Sequence, residues 1–85
     1  MPAKQLILPQ SVQKRVQKLP KRIQKRLPNA FILLQQNPIA GGKLRGQLEE
    51  YYKYRLGDYR IIYTFDIKTS TLKVVNIEHR QGVYK

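Results

Sequence analysis

YYKYRLGDYRIIYTFD, residues 51–66, is the stretch that decides how this chain folds. Apolar or aromatic residues alternate there with cations on both sides of Gly57-Asp58. Such alternation marks a half-buried strand, and a short Gly-containing loop between two such runs marks a hairpin. With Gly57-Asp58 as a two-residue loop, Leu56 faces Tyr59, Arg55 faces Arg60, Tyr54 faces Ile61 and Lys53 faces Ile62. Side chains alternate faces along a strand, so Tyr52, Tyr54, Leu56, Tyr59, Ile61, Tyr63 and Phe65 share one face and form a core. Lys53, Arg55 and Arg60 share the other. Two arginines directly opposite each other repel. A sheet that needed only stability would place Thr or Ser there. The pairing makes sense where a phosphate sits between the two side chains. Cations on an exposed sheet face also serve solubility, and these three residues alone leave both explanations open.

The flanking segments complete the architecture. KQLIL at 4–8 reads as a short strand that Pro9 ends, and Ser11 offers a cap for a following helix. Val12, Val16 and Leu19 recur at helical spacing with Lys14, Arg15 and Lys18 between them, which predicts an amphipathic helix with a basic outer face. Pro20 suits the first turn of a second helix. Ile23, Leu27, Ala30, Phe31 and Leu34 form its apolar stripe, to about Gln36, and Pro28 should kink it or shift its start. AGGKLRG at 40–46 reads as a flexible cationic loop. Three strands follow, over roughly 47–56, 59–66 and 71–80, with KTS at 68–70 in the second turn. The predicted fold is α+β in the order β-α-α-β-β-β. An antiparallel four-stranded sheet carries two N-terminal helices on one face, in a single domain over 1–85.

Charge narrows the partners. The chain carries 17 Lys and Arg against 5 acids, a net +12. Residues 1–46 hold 10 of the cations and no acid. Such a balance calls for a polyanion or an acidic protein partner. The basic segments lack the Trp and Phe of an interfacial helix, and no run of ~18 apolar residues exists, so no membrane association is expected. Cysteine is absent, which excludes disulfides and thiolate metal sites and favours a reducing, cytoplasmic setting. No signal peptide is discernible at the N-terminus. Asp58, Asp66 and Glu78 are scattered and read as turn and surface residues, so neither a metal site nor a cofactor is expected. A run of cations on a helix is usually a solvated face, so Lys14, Arg15, Lys18, Lys21, Arg22, Lys25 and Arg26 point to RNA only in company with a stronger signal.

The C-terminus supplies that company. IEHRQGVYK at 77–85 brings the only histidine, His79, beside Arg80, with Tyr84 close to the end. Taken with KLRG at 43–46, the hairpin at 51–66 and HRQGVY at 79–84, the sequence resembles the RelE/ParE superfamily of toxins from type II toxin–antitoxin systems. The element order matches along essentially the whole chain, and the RelE branch, which cleaves mRNA in the ribosomal A site, is the nearer. The resemblance implies that Lys53 and Arg55 are basic active-site residues and that Arg60 stabilises the phosphate. It further implies that Arg80 serves the leaving group and that Tyr84 contacts or stacks on RNA. RelE has a lysine where this chain has Arg55. His79 lies where some relatives also place a histidine.

The implied chemistry is metal-free RNA cleavage: a 2′-hydroxyl attacks the adjacent phosphorus and the 5′-oxygen leaves. Preorganised cations stabilise charge that accumulates on the phosphoryl oxygens. Arginine stays protonated, so Lys53 and His79 are the two candidates for the proton acceptor. Lys43 and Arg45 join the helical cations as RNA contacts. The implied partners are an acidic antitoxin, the ribosome and mRNA. Two other readings stay open: a ParE-like inhibitor of DNA gyrase on the same fold, and a non-enzymatic basic RNA- or ribosome-binding protein.

Overall fold

The structure, a computed structural model, describes residues 2–43 and 51–79. Strand β1 (Gln5–Ile7) leads into helices α1 (Gln10–Gln17) and α2 (Lys21–Gln36). Four strands follow: β2 (Gly42–Lys43), β3 (Tyr52–Leu56), β4 (Tyr59–Asp66) and β5 (Thr71–His79). They form one sheet in the order β1-β5-β4-β3-β2. The α+β class and the helices of the sequence reading hold, with two corrections. Among the described residues the sheet has five strands rather than four, because Gly42 and Lys43 of the expected loop pair with Lys53 and Tyr52. The sheet is also not wholly antiparallel: β1 runs parallel to β5. Hairpin turns force β3, β4 and β5 to alternate in direction. β1 reaches β5 only through the rest of the chain, so no turn constrains it.

Both helices begin at a proline. Pro9 and Pro20 occupy the N-cap positions with extended backbone and make no side-chain cap hydrogen bond. Their carbonyls accept the first helical N–H groups, from Val12 and Gln13 and from Ile23 and Gln24, at 2.9–3.0 Å. Ser11, expected as the cap, lies inside the first turn instead. α2 continues through Pro28 as one element, and its start is not shifted. Val12 and Leu19 of the first stripe are buried, as are Ile23, Leu27, Ala30 and Leu34 of the second, against Leu56, Ile61, Tyr63, Leu72, Val74 and Ile77.

The register of β3 and β4 is the one the hairpin demands, from Leu56 opposite Tyr59 to Tyr52 opposite Tyr63. Gly57 takes the left-handed turn conformation, with φ of 64°. Between β4 and β5 the register slips: Ile62 pairs with Asn76, but Tyr63 pairs with Val74. Val75 is the extra residue of this bulge. The slip lets Val74 and Ile77, which simple alternation would place on opposite faces, both turn toward the helices. It also sends Asn76 and Glu78 to the outer face with Ile62 and Arg60.

Candidate active site

The outer face of the sheet presents the cations that the hairpin predicts. Arg55 on β3 stands directly opposite Arg60 on β4, and Arg60 stands opposite Glu78 on β5. One row across three strands therefore reads arginine, arginine, glutamate. The next row on this face holds Lys53, Ile62 and Asn76. Lys53 and Arg55 are exposed, whereas the Arg60 side chain is only 11% exposed. Glu78 approaches it, Oε1 lying 3.6 Å from Arg60 Nε. The amide of Asn76 donates to Glu78 Oε2 at 3.3 Å. Gly42, which pairs with Lys53, leaves open space where a side chain would stand. Ile62, the middle member of that second row, is buried.

A buried phenol sets the edge of this surface. Tyr63 reaches across the core, donating to the Pro38 carbonyl at 2.6 Å and accepting from Gly41 N–H at 3.0 Å. Burial pushes its pKa up, so it remains a neutral donor and acceptor. A Cβ on Gly41 would lie 2.5 Å from the Lys53 carbonyl oxygen and 2.8 Å from the Tyr63 hydroxyl. The loop ending in β2 is thus drawn against the strand that carries Lys53. Lys43 pairs with Tyr52, and its Nζ lies 5.8 Å from the centre of that ring. It therefore belongs to the helix side of the sheet, away from Lys53.

A second charged cluster lies on that helix side. Arg22 of α2 makes a bidentate contact with Asp58 in the hairpin turn, at 3.0 and 3.1 Å. His79 Nε2 comes within 3.4 Å of the same carboxylate. Its ring meets Tyr59 edge-on, at 5.0 Å between centres. The hydrogen bonds from Arg22 hold the Asp58 carboxyl down to about 2. His79 pairs with Tyr59, a helix-side residue, so the fold does not bring it to Arg55 and Arg60. The two proton-acceptor candidates lie on opposite faces of the sheet.

The chain is similar in sequence and fold to known proteins. Residues 6–84 match the family model for the ParE toxin of the type II toxin–antitoxin system parDE. Toxin RelG of Mycobacterium tuberculosis is 34% identical over 70 residues, 80% of each chain. The chain belongs to the RelE/ParE superfamily of type II toxins. Its fold superposes on the toxin–antitoxin complex RelBE2 of Mycobacterium tuberculosis with a TM-score of 0.82 at 28% identity, covering 94% of this chain and 100% of that one. The archaeal RelE–RelB complex from Pyrococcus horikoshii gives 0.74 at 28% identity, covering 94% and 97%.

The remaining site residues of this toxin divide by location. Arg45, Arg80 and Tyr84 lie outside the described residues. Lys14, Lys18, Lys21, Lys25 and Arg26 are exposed on the helices. Arg15 and Arg22 are engaged in the fold: Arg15 Nε donates to the Ile77 carbonyl at 2.5 Å, and Arg22 holds Asp58. The sequence reading placed Glu78 among surface acids, and the structure corrects this. It is cross-strand from Arg60, and only the β4–β5 register reveals it. That register follows from the bulge, which needs Leu72, Val74 and Ile77 to be recognised together as core.

Proposed function

We propose that this toxin is a ribosome-dependent mRNA endoribonuclease. The observation that carries the reading is Arg55 directly opposite Arg60, with Lys53 on the same face. Like charges in facing positions cost stability, and an anionic substrate offsets that cost. A phosphate held there presents its oxygens to two guanidinium groups, which stabilise the charge that builds up as the 2′-hydroxyl attacks. Lys53 accepts the 2′-hydroxyl proton, the P–O5′ bond breaks, and a proton must reach the departing 5′-oxygen. The family resemblance assigns Arg80 to that oxygen and Tyr84 to the flanking base. The product is a 2′,3′-cyclic phosphate with a free 5′-hydroxyl on the downstream fragment.

The site holds several cations and one modest base, so the substrate must be held in an attack-ready geometry from outside. The ribosome supplies that alignment in this reading, a contribution that can be large. The exposed cations Lys14, Lys18, Lys21, Lys25 and Arg26, with Lys43 and Arg45, contact rRNA or mRNA phosphates. An acidic antitoxin neutralises the toxin by electrostatic complementarity with a chain of net +12. Both solved relatives named above are complexes of a toxin with an antitoxin.

The match to the ParE family model supports a second reading, inhibition of DNA gyrase on the same scaffold. One comparison separates the two. The toxin is added to a purified translation system, and the mRNA is mapped by primer extension. In parallel it is added to a gyrase supercoiling assay. Ribosome-dependent cuts with active gyrase support the nuclease. Intact mRNA with blocked gyrase supports the rival. Ribosome association without either effect would leave a basic binding protein.

A further inference from the structure

The geometry points to Glu78 as a resident anion of the Arg55–Arg60 site, one that holds Arg60 in the free toxin and competes with the substrate phosphate for it. This inference rests on the phosphate-binding reading of that face. Arg55, Arg60 and Glu78 occupy one row on three adjacent strands. Neighbouring strands lie ~4.8 Å apart. The carboxylate faces Arg60 through Oε1 at an ion-pair distance of 3.6 Å and accepts a hydrogen bond from Asn76 through Oε2. Side-chain exposures of 11% for Arg60 and 27% for Glu78 shelter the pair, so salt screens it less than a surface pair.

The placement has two opposed effects. In the free protein Glu78 offsets the repulsion between the two arginines and keeps Arg60 against the sheet. When a phosphate bridges those arginines, the same carboxylate stands about one and a half strand spacings from a second anion and repels it. The site is therefore damped toward loose phosphates. It engages a phosphodiester that other contacts already hold in place, as a substrate presented on a large assembly is held. A glutamine at this position would keep an oxygen for the Asn76 amide to donate to, so Glu78→Gln removes the charge and retains that hydrogen bond.

A double-mutant cycle tests this. The probe is a fluorescein-labelled, fully 2′-O-methylated RNA oligonucleotide, which cannot be cleaved, titrated by anisotropy with the full-length toxin. Glu78→Gln should tighten binding roughly fivefold in the native background. In the Arg60→Ala background the same substitution should change affinity less than twofold. Equal tightening in both backgrounds would mean that only the net charge matters, and would overturn the competition. Weaker binding by Glu78→Gln would overturn it too, by making Glu78 an aid to phosphate binding. Arg60→Ala read alone separates the two layers. Unchanged affinity there removes the phosphate site itself. Lost affinity there, with no gain from Glu78→Gln, removes only the role of Glu78. Far-UV circular dichroism of each variant verifies that all four proteins share one fold.

Discussion

The two faces of the sheet each carry a carboxylate beside an arginine, and the two pairs do different things. On the helix side, Asp58 meets Arg22 head-on at 3.0 Å with both side chains about half exposed or more. This pair ties α2 to the tip of the β3–β4 hairpin, and His79 joins it. On the outer face, Glu78 meets Arg60 at 3.6 Å, largely sheltered, in a row that already contains a second arginine. The first pair balances its charges within the fold. The second leaves a row with an excess cation, Arg55, and Lys53 in the adjoining row. An excess of like charge gathered around one sheltered arginine is what an anion site requires, and a balanced pair at a turn is what a fastening requires. The difference lies in the neighbours rather than in the pairs themselves.

Arg60→Ala is the severest way to test that contrast. It should reduce ribosome-dependent cleavage roughly 10²–10³-fold, the usual loss when one preorganised donor to a developing oxyanion is removed. It should also abolish growth inhibition when expressed without antitoxin. Thermal unfolding must show a folded protein, since the Arg60 side chain also packs on the sheet. A folded Arg60→Ala toxin that still cuts mRNA at the native rate would erase the distinction between the faces.

Tyr63→Phe asks whether the outer face depends on the loop behind it. The substitution leaves the Gly41 N–H and the Pro38 carbonyl without their partner in the interior. Stranding buried polar groups typically costs ~1–3 kcal/mol each. The midpoint of chemical denaturation should fall accordingly. Gly41→Ala should destabilise as well, because its Cβ would press on the Lys53 carbonyl and the Tyr63 hydroxyl. A Tyr63→Phe protein of native stability would show that the loop holds its place without the phenol.

Asp58→Asn addresses the fastening on the helix side. Asp58 titrates near 2 in the fold, against ~3.9 for an unfolded aspartate. A depressed carboxyl stabilises the fold above the unfolded value and loses that contribution as pH falls through the folded one. Asp58→Asn should therefore melt slightly below the native protein at neutral pH. The gap should close between about pH 4 and pH 2. A constant gap across that range would mean that the Arg22 contact is not what lowers Asp58.

The sequence made these contrasts unevenly legible. Alternation around Gly57-Asp58 carried the β3–β4 register residue by residue, and with it the facing arginines. The helical stripes were equally plain, because Ile23, Leu27, Ala30 and Leu34 keep the period of one turn. What a linear pattern cannot express is a change of period. Leu72, Val74 and Ile77 break alternation at the bulge, so neither the outward turn of Glu78 nor the inward turn of His79 could be read from spacing. Two exposed helical cations, Arg15 and Arg22, differ from those beside them only in having partners in the fold. Their partners, a strand carbonyl and a turn carboxylate, are 62 and 36 positions away. The parallel β1 escaped for a related reason, since no turn links it to β5.

His79→Ala should have the smallest effect on chemistry, and it puts the comparison at most risk. By residue type, His79 is the natural proton acceptor, since imidazole titrates near neutral pH and is the commonest general base. By position it belongs to the fastening cluster. Its Nε2 is directed at Asp58, and its ring leans on Tyr59 on the side of the sheet opposite Lys53. A base must come within hydrogen-bond reach of the proton it takes, directly or through one water. A phosphate bridging Arg55 and Arg60 lies across the thickness of the sheet from this ring. His79→Ala should therefore keep its cleavage rate within a fewfold of native and lose a little stability, whereas Lys53→Ala should lose far more rate than stability. The pH dependence of single-turnover cleavage adds a second check. If His79 supplied the base, an inflection of the native profile would vanish in His79→Ala. A rate loss as deep as that of Arg60→Ala, with that inflection gone, would put the histidine into the chemistry. It would also mean that the end of β5 turns over when substrate binds.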